Sequence, residues 1–168
     1  MKPIAIVYGS SSDNTKHAAE KIAAQLSDTE VTLFDVYSAK VEDIAAYSNL
    51  ILGTSTWGLG DLQDDWEGFV SDFMEMDFEG KTVALFGLGD SAIYSDSFCD
   101  GMGVLYQDLK DKPCEIIGFS STDGYDFVES SSIVDDMFVG LALDEDNEYD
   151  QTDERIEKWV NEIKSKLQ

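Results

Sequence analysis

Short apolar segments alternate with helical patterns along the whole chain. Five of these segments have the length and the largely apolar character of strands in a sheet that is covered on both faces. They are Ile4 to Tyr8, Val31 to Val36, Leu50 to Thr54, Thr82 to Gly87 and Glu115 to Phe119. Apolar residues at helical spacing predict helices over residues 18–26, 66–73, 98–109 and 156–167. Thr152 is the expected N-cap of the last helix.

The alternation of strands and helices predicts an α/β fold: a doubly wound, five-stranded parallel sheet with right-handed crossovers and helices on both faces. The chain has 168 residues, of which 43% are hydrophobic, and this suits a single domain over residues 1–168. A mostly polar, Ser- and Asp-rich stretch separates Phe119 from the apolar run Phe138 to Leu143. We interpret this stretch as an insertion that interrupts strand five, whose two halves are then Glu115 to Phe119 and Phe138 to Leu143.

The chain is strongly acidic. It has 35 acidic and 11 basic residues, and its formal net charge is -24. This charge repels nucleic-acid phosphates and anionic lipid surfaces, so we expect no nucleic acid and no membrane among the partners. The charge favours basic protein partners, although an acidic surface also serves solubility alone. Both explanations stay open at this level.

Cysteine content and hydrophobicity exclude further classes. Cys99 and Cys114 are too few and too isolated to form a disulfide framework or a metal site. The N-terminal segment MKPIAIVYGS has too short an apolar run for a signal peptide, and no later segment reaches the length of a membrane span. We therefore expect a cytoplasmic protein without a metal site.

The segment after strand one is the first candidate ligand loop, because ligands bind beyond the carboxyl ends of parallel strands. Ser10 to Thr15 is a run of hydroxyl and amide side chains that leads into a helix, and we call it the anion loop. Free backbone N–H groups and the helix dipole can hold a phosphate there without a positive charge. An ordinary Ser/Asp N-cap turn explains the same residues equally well.

Two aromatic residues stand on the loops after strands three and four. Trp57 lies between small residues in the segment Gly53 to Trp66, and Tyr94 lies in the polar segment Gly87 to Phe98. An indole on a glycine-bordered loop is costly to leave in water unless it covers a flat ligand. A tryptophan folded back onto its own sheet is the plainer explanation. Beside a phosphate-binding loop, two aromatic rings can enclose a planar heterocycle.

Four familiar motifs fit this chain poorly. The anion loop lacks the Gly-Lys-Ser/Thr of a nucleotide triphosphatase. The run Gly87 to Ala92 matches the dinucleotide fingerprint only formally, because it follows the fourth strand and places Asp90 where a pyrophosphate needs bare backbone. A phospho-receiver domain needs an acceptor aspartate where this chain has Gly53. The acidic residues within 144–148 lack the turn glycine of a calcium loop, and we interpret them as a solvated strand end.

Taken together, these motifs resemble those of the flavodoxin family, the small FMN-binding electron carriers, and specifically of its long-chain members. The similarity covers essentially the whole chain. Its most specific parts are PIAIVYGSSSDNT, TSTWGLGDLQDDWEGF, ALFGLGDSAIYSDSFCDGMG, STDGYDFVESSS, and FVGLALDEDN followed by TDERIEKWV. The resemblance implies the flavodoxin-like strand order 2-1-3-4-5, and flavodoxins are themselves an example of ligand binding where the strand order reverses.

The resemblance also implies which residues bind FMN. The anion loop would hold the ribityl phosphate, Trp57 would cover the inner face of the isoalloxazine ring and Tyr94 its outer face. The full set of expected cofactor-binding residues is Ser10, Ser11, Ser12, Asp13, Asn14, Thr15, Ser55, Thr56, Trp57, Gly58, Leu59, Gly60, Leu88, Gly89, Asp90, Tyr94, Ser97, Phe98, Cys99 and Asp146. No catalytic acid, base or nucleophile is expected, and His17 is expected at the surface.

Asp13 departs from the family pattern, which usually has glycine in the phosphate loop. Aspartate tolerates a left-handed backbone better than most residues, so the turn can form. Its carboxylate is expected to weaken phosphate binding unless it points to solvent or pairs with Lys16 or Lys21. The resemblance therefore predicts that FMN binds, and Asp13 predicts that it binds less tightly.

By resemblance, the chain is an electron-transfer protein and not an enzyme. It would cycle FMN mainly between the neutral semiquinone and the anionic hydroquinone, and shuttle single electrons between a reductase and acceptor enzymes. An anionic hydroquinone is costly between aromatic rings in an acidic protein, so the potential should be low. In flavodoxins a peptide carbonyl turns toward flavin N5. Here it would belong to Gly58, where glycine makes the turn easy to flip.

The expected partners are basic surfaces of redox proteins, namely an NADPH-dependent flavodoxin reductase and acceptor oxidoreductases. They would dock near Asp61, Asp64, Asp65 and Glu67 with salt-sensitive rates, and the chain is expected to be a monomer. Two alternatives stay open: an FMN enzyme of the same fold, such as a quinone reductase, and a flavodoxin-like module that has lost FMN because of Asp13. For the insertion, partner recognition and a purely structural role are both open.

Overall fold

Ten strands and five α-helices form the protein, whose computed structural model describes all residues, Met1–Gln168. The strands are β1 (Ile4–Gly9), β2 (Val31–Asp35), β3 (Asn49–Trp57), β4 (Asp61–Leu62), β5 (Thr82–Leu88), β6 (Glu115–Ile117), β7 (Ser120–Ser121), β8 (Ile133–Val134), β9 (Met137–Phe138) and β10 (Leu141–Leu143). The helices are α1 (Asn14–Gln25), α2 (Val41–Ala45), α3 (Asp64–Met74), α4 (Asp100–Leu109) and α5 (Thr152–Lys164).

The main sheet is parallel and has the order β10-β5-β3-β1-β2. Strand β1 lies between β2 and β3, with Ile4 opposite both Val31 and Asn49. Every residue of β1 and of β5 is buried, which is why these segments are apolar throughout instead of alternating. The predicted order 2-1-3-4-5 is confirmed, with β10 in the place of the fifth strand.

The fifth strand is indeed split. The first half, β6, pairs with Thr82–Ala84 of β5, and the second half, β10, pairs with Phe86–Leu88 of the same strand. Both halves are shorter than predicted, because Phe119 lies outside the sheet and Phe138 belongs to β9. The insertion forms a separate antiparallel sheet of its own, in the order β7-β9-β8.

Helices cover both faces of the sheet, as predicted. One core cluster of 22 buried residues includes the α3 side chains Trp66 and Phe73, and extends to α2 and α4. The other cluster, of 19 residues, contains the apolar stripes of α1 and α5, such as Ile22 and Trp159. Burial of two apolar faces by helices fixes the layer order helix, sheet, helix.

Three further predicted boundaries differ from the structure for a clear physical reason. Helix α5 begins at Thr152 itself, with Gln151 at the N-cap, and the Thr152 hydroxyl bonds the Glu145 carboxylate instead of capping the helix. Helix α4 begins only at Asp100, because Cys99 has a left-handed backbone with φ 56°. Strand β3 continues to Trp57, because this residue pairs with β4 in an antiparallel ladder.

Candidate functional site

A cavity of about 370 Å³ lies at the carboxyl ends of the central strands, where the order reverses between β1 and β3. The anion loop follows β1, the tryptophan segment follows the buried part of β3, and the tyrosine segment follows β5. The residues that line the cavity are Ser12, Asn14, Ser55, Thr56, Trp57, Gly58, Leu88, Gly89, Asp90, Tyr94, Ser97, Glu145 and Asp146. All of these except Glu145 were predicted.

The anion loop offers free backbone donors at the start of α1. The N–H groups of Ser10 to Asp13 donate no hydrogen bond within the protein, whereas the Lys16 N–H donates to Ser10 Oγ at 3.3 Å. Helix α1 begins at Asn14, and no basic side chain lines the cavity. Unpaired N–H groups at the positive end of a helix dipole, together with the hydroxyls of Ser12 and Thr15, form a donor set suited to an anion.

Asp13 adopts the predicted left-handed conformation, with φ 66° and ψ -4°. Its side chain is exposed and caps no helix N–H group. Neither expected ion pair forms, because Lys21 pairs with Asp153 at 2.6 Å and Lys16 has no carboxylate within salt-bridge distance. The carboxylate therefore faces solvent, and no cation neutralises it.

Both predicted aromatic rings line the cavity and remain accessible. Trp57 is 45% exposed and Tyr94 is 48% exposed. The indole Nε1 of Trp57 donates to Ser55 Oγ at 2.8 Å, which holds the ring at the end of β3. Trp57 is thus not folded into the core, unlike Trp66, which is fully buried and donates to the Gly53 carbonyl at 2.8 Å.

A tight turn follows Trp57. The Gly60 N–H donates to the Trp57 carbonyl at 3.1 Å, and Gly58 has φ 54° at the first central position. A positive φ at that position, with none at Leu59, is typical of a type II′ turn, in which glycine is strongly favoured. A Cβ atom at Gly58 would also lie 2.8 Å from the Asp61 carboxylate. The turn therefore depends on glycine.

The tyrosine segment is fixed at its start by the loop after β10. Asp90 Oδ1 accepts hydrogen bonds from the N–H groups of Ala92 (3.0 Å) and Ile93 (2.9 Å) and from Asn147 Nδ2 (2.8 Å). Burial raises the pKa of the Asp90 carboxyl, but these hydrogen bonds outweigh it and hold the pKa below its ordinary value. Asp90 is accordingly a carboxylate at neutral pH.

The prediction of a solvated acidic strand end is wrong for Asp144. It is fully buried, and its carboxylate accepts hydrogen bonds from the Ser91 N–H (3.2 Å), the Ser91 hydroxyl and the Asn147 N–H (3.1 Å). The strand end thus joins the loop after β10 to the tyrosine segment. No group of three or more His, Cys, Asp or Glu residues has the arrangement of a metal site.

The insertion fixes the end of the tyrosine segment. The N–H groups of Val128 and Glu129 donate to the Ser95 carbonyl at 3.0 Å, and the Ser132 hydroxyl donates to the Cys99 carbonyl at 2.6 Å. The Phe127 ring stacks on Phe98, with ring centroids 5.2 Å apart. The insertion therefore lies directly behind the segment that carries Tyr94.

Two further acidic residues border the cavity. The pKa of Asp146 is raised by partial burial and by the nearby carboxylates of Asp90, Asp144 and Glu145. Like charges in one place disfavour further negative charge. This side of the cavity consequently has a negative potential, while the anion loop contributes N–H donors.

The side chains of Phe98 and Cys99 lie behind the cavity lining. Both are fully buried in a core cluster, so a ligand contact at these two positions would have to come from the backbone. Burial raises the pKa of the Cys99 thiol well above its ordinary value, so this residue is not a nucleophile at neutral pH. Leu59 lies at the other extreme, 91% exposed, and does not line the cavity either.

The remaining predicted residues lie around the cavity and not in its lining. They are Ser10, Ser11, Asp13, Thr15 and Gly60. His17 is exposed, as expected. Sequence reasoning missed Glu145, which lines the cavity, and Gln63, whose side-chain amide donates to the Ser11 hydroxyl of the anion loop. Only their position beside predicted motifs could have pointed to them. No helix in the structure has the length and apolar character needed to cross a membrane.

The comparisons with known proteins agree with this geometry. The family model described as Flavodoxin matches residues 6–159. A flavodoxin of Nostoc sp. is 45% identical over 166 residues, covering 99% of this chain and 98% of that protein, and a flavodoxin of Klebsiella pneumoniae is 40% identical, covering 99% and 96%. The crystal structure of Fusobacterium nucleatum flavodoxin bound to flavin mononucleotide superposes on this chain with a TM-score of 0.95. The two sequences are 36% identical, and the match covers 100% of each chain.

Proposed function

The chain belongs to the flavodoxin family, and on that premise we propose that it binds FMN and acts as an electron carrier instead of an enzyme. One observation carries this proposal. A single cavity is lined by two accessible aromatic side chains, Trp57 and Tyr94, and by Ser12 and Asn14 of the anion loop, in which the N–H groups of Ser10 to Asp13 are unpaired. FMN combines the groups that such a cavity would bind, a planar ring system and a phosphate dianion.

The donor set of the anion loop fits the phosphate. Backbone N–H groups and the hydroxyls of Ser10, Ser11, Ser12 and Thr15 would hold it, and the dipole of α1 would compensate part of its charge. Trp57 and Tyr94 would cover the two faces of the isoalloxazine ring. Thr56, Gly58, Leu88, Gly89 and Asp90 would border the ring and the ribityl chain, since all of them line the same cavity.

The flavin would supply one-electron chemistry, and the protein would set which redox state is preferred. Asp90, Glu145 and Asp146 make one side of the cavity negative, and this disfavours the anionic hydroquinone. The carrier would therefore work at low potential, mainly between the neutral semiquinone and the anionic hydroquinone. The positive φ of Gly58 supports the proposal that its carbonyl can turn toward flavin N5.

We propose docking of basic redox partners at the Trp57 side of the cavity. Asp61, Asp64, Asp65 and Glu67 lie there, next to the exposed side chain of Leu59, and none of these carboxylates has a salt-bridge partner. Unpaired carboxylates attract a basic surface, and their effect on association rates is salt-dependent. The partners would be an NADPH-dependent reductase and acceptor oxidoreductases. The net charge of -24 disfavours self-association, so the carrier would be a monomer.

The test is a visible spectrum followed through stepwise anaerobic photoreduction, after FMN has been added to the protein and the excess removed. We expect retained flavin that passes through a long-wavelength neutral semiquinone. Retained flavin that goes directly to the hydroquinone would support a two-electron reductase instead. If no flavin were retained, the proposed function would be wrong, and the alternative of a module that has lost FMN would take its place.

A further inference from the structure

Gln63 is a buried amide between the start of α3 and the anion loop. Its residue is only 1% exposed, although its chain neighbours Asp61 and Asp64 are at the surface. Gln63 Oε1 accepts hydrogen bonds from the N–H groups of Asp65 (3.1 Å) and Trp66 (3.2 Å), so the side chain is the N-cap of α3. Its side-chain oxygen alone is enough to pair these two N–H groups, so the cap does not require the amide nitrogen to bond anything.

The other end of the same amide reaches the anion loop. Gln63 Nε2 donates to Ser11 Oγ at 3.1 Å and to Asp65 Oδ2 at 2.8 Å. All hydrogen-bonding groups of the side-chain amide are therefore in use. One buried side chain thus connects α3 with the loop that follows β1, across a sequence separation of 52 residues.

Gly9 makes this connection geometrically possible. A Cβ atom at Gly9 would lie 2.2 Å from Gln63 Oε1 and 2.6 Å from Trp66 Cδ1, far inside van der Waals contact. The backbone that leads into the anion loop therefore rests directly on the Gln63 amide and the Trp66 ring. Contact with these two side chains therefore sets the position of the anion loop.

The bond to Ser11 also orients the serine hydroxyl. Its oxygen accepts the Gln63 amide hydrogen, so the single hydroxyl hydrogen is left to donate elsewhere. The adjacent N–H groups of Ser10, Ser12 and Asp13 are unpaired donors of the same loop. An anion held by this loop would find the Ser11 hydroxyl already fixed as a donor, which reduces the ordering cost of binding.

We propose that Gln63 is a positioning residue that selects phosphorylated over unphosphorylated flavin by fixing the Ser11 hydroxyl as a phosphate donor. The inference rests on the proposed FMN-binding function. A role limited to capping α3 would affect protein stability but would not distinguish FMN from riboflavin. The phosphate group is the sole difference between these two ligands, so their affinity ratio measures the anion loop alone.

The experiment compares FMN and riboflavin dissociation constants for four proteins: the natural chain, Gln63→Met, Ser11→Ala and the double variant. We expect Gln63→Met to weaken FMN binding by roughly threefold to tenfold, the range of one hydrogen bond, and to change riboflavin binding by less than about twofold. In the Ser11→Ala background, Gln63→Met should have no further effect on FMN, because the hydroxyl through which it acts is gone.

Trp159→Phe is the matched control. It removes a comparable buried bond, from Trp159 Nε1 to the Gly118 carbonyl at 2.7 Å, in the core cluster on the other face of the sheet, and it touches neither Ser11 nor the Gln63 amide. It should lower thermal stability and leave the FMN-to-riboflavin affinity ratio unchanged. If Gln63→Met does not fold, the shorter Gln63→Asn, which keeps a polar amide but cannot span both partners, replaces it in the same comparison.

The inference is overturned if Gln63→Met weakens both flavins equally, if the ratio does not change, or if the loss of FMN affinity persists in the Ser11→Ala background. A failure of the proposed function looks different, because the natural chain would then retain neither flavin. Tight FMN binding by the natural chain with an unchanged ratio in the variant would keep the function and remove the role of Gln63.

Discussion

The Asp13 carboxylate points to solvent, which reduces its repulsion of a bound phosphate to the value at the dielectric constant of water but does not abolish it, so removing this charge should still strengthen FMN binding. Asp13 belongs to the anion loop, is exposed and has no cationic partner. A phosphate dianion on the N–H groups of so short a loop would lie within about 8 Å of the carboxylate. At the dielectric constant of water, the repulsion is about 1 kcal/mol, or about fivefold in the dissociation constant.

Backbone strain at Asp13 does not change the expected effect on the FMN dissociation constant. The left-handed conformation of Asp13 belongs to the fold of the loop itself, so its cost contributes to the free energy of unfolding and not to the FMN dissociation constant. Asp13→Gly and Asp13→Asn differ in this strain but lose the same charge. Both variants should therefore tighten FMN binding by the same factor of about five at low salt.

The assay is fluorescence titration of the apoprotein with FMN and with riboflavin at about 0.01 M and about 1 M salt, where the Debye length falls from about 30 to about 3 Å. The gain should vanish at high salt and should be absent for riboflavin, which carries no phosphate. Glu79→Gln is the control, because it removes the same charge from an exposed residue at the amino end of β5, the edge opposite the cavity. An unchanged FMN affinity at low salt, or a gain that survives high salt, would refute the repulsion argument.

Three further changes test other parts of the site. Gly58→Ala should destabilise the turn by about 1–2 kcal/mol, because its φ is 54°, and should lower the semiquinone yield in photoreduction; an unchanged yield contradicts the role of the turn. Asp146→Asn should raise the free energy of unfolding at pH 7, because the folded pKa of this exposed residue is raised and its charge is therefore unfavourable; solvent screening limits the gain to about 0.5 kcal/mol, and urea titration should find none well below the ordinary pKa of 3.8, where Asp146 is protonated in both states. Phe127→Ala removes the ring that stacks on Phe98 behind the tyrosine segment and should weaken FMN and riboflavin alike, with no effect in a Tyr94→Ala background.

The loops could be located from the sequence because the apolar periodicity marks where each strand ends. That argument placed Trp57 and Tyr94 on two ligand loops, the resemblance implied that both rings cover a flat ligand, and in the structure both line the cavity. The split of strand five followed from a polar stretch between two apolar ones. Both halves count as one strand because they pair with successive parts of the same strand, β5.

Burial decided what the sequence did not. The resemblance implies that Phe98 and Cys99 border the ligand, and in the structure the left-handed backbone at Cys99 and the stacking of Phe127 direct both side chains into the core. Asp144 was predicted to lie at a solvated strand end, because residues 144–148 lack the turn glycine of a calcium loop. Hydrogen bonds from Ser91, far away in the chain, satisfy its carboxylate inside the protein.

The sequence by itself determined the layer order, the places of the ligand loops and the acidic character of the surface. The spacing of apolar residues, the positions of glycines and the number of charged residues can all be read from neighbouring residues along the chain. Only the tertiary structure decided that Gln63 bonds the anion loop, that Glu145 lines the cavity and that the insertion lies behind Tyr94. Each of these contacts joins segments that are distant in sequence. Their partners are selected by the packing of the whole domain, which no local pattern encodes.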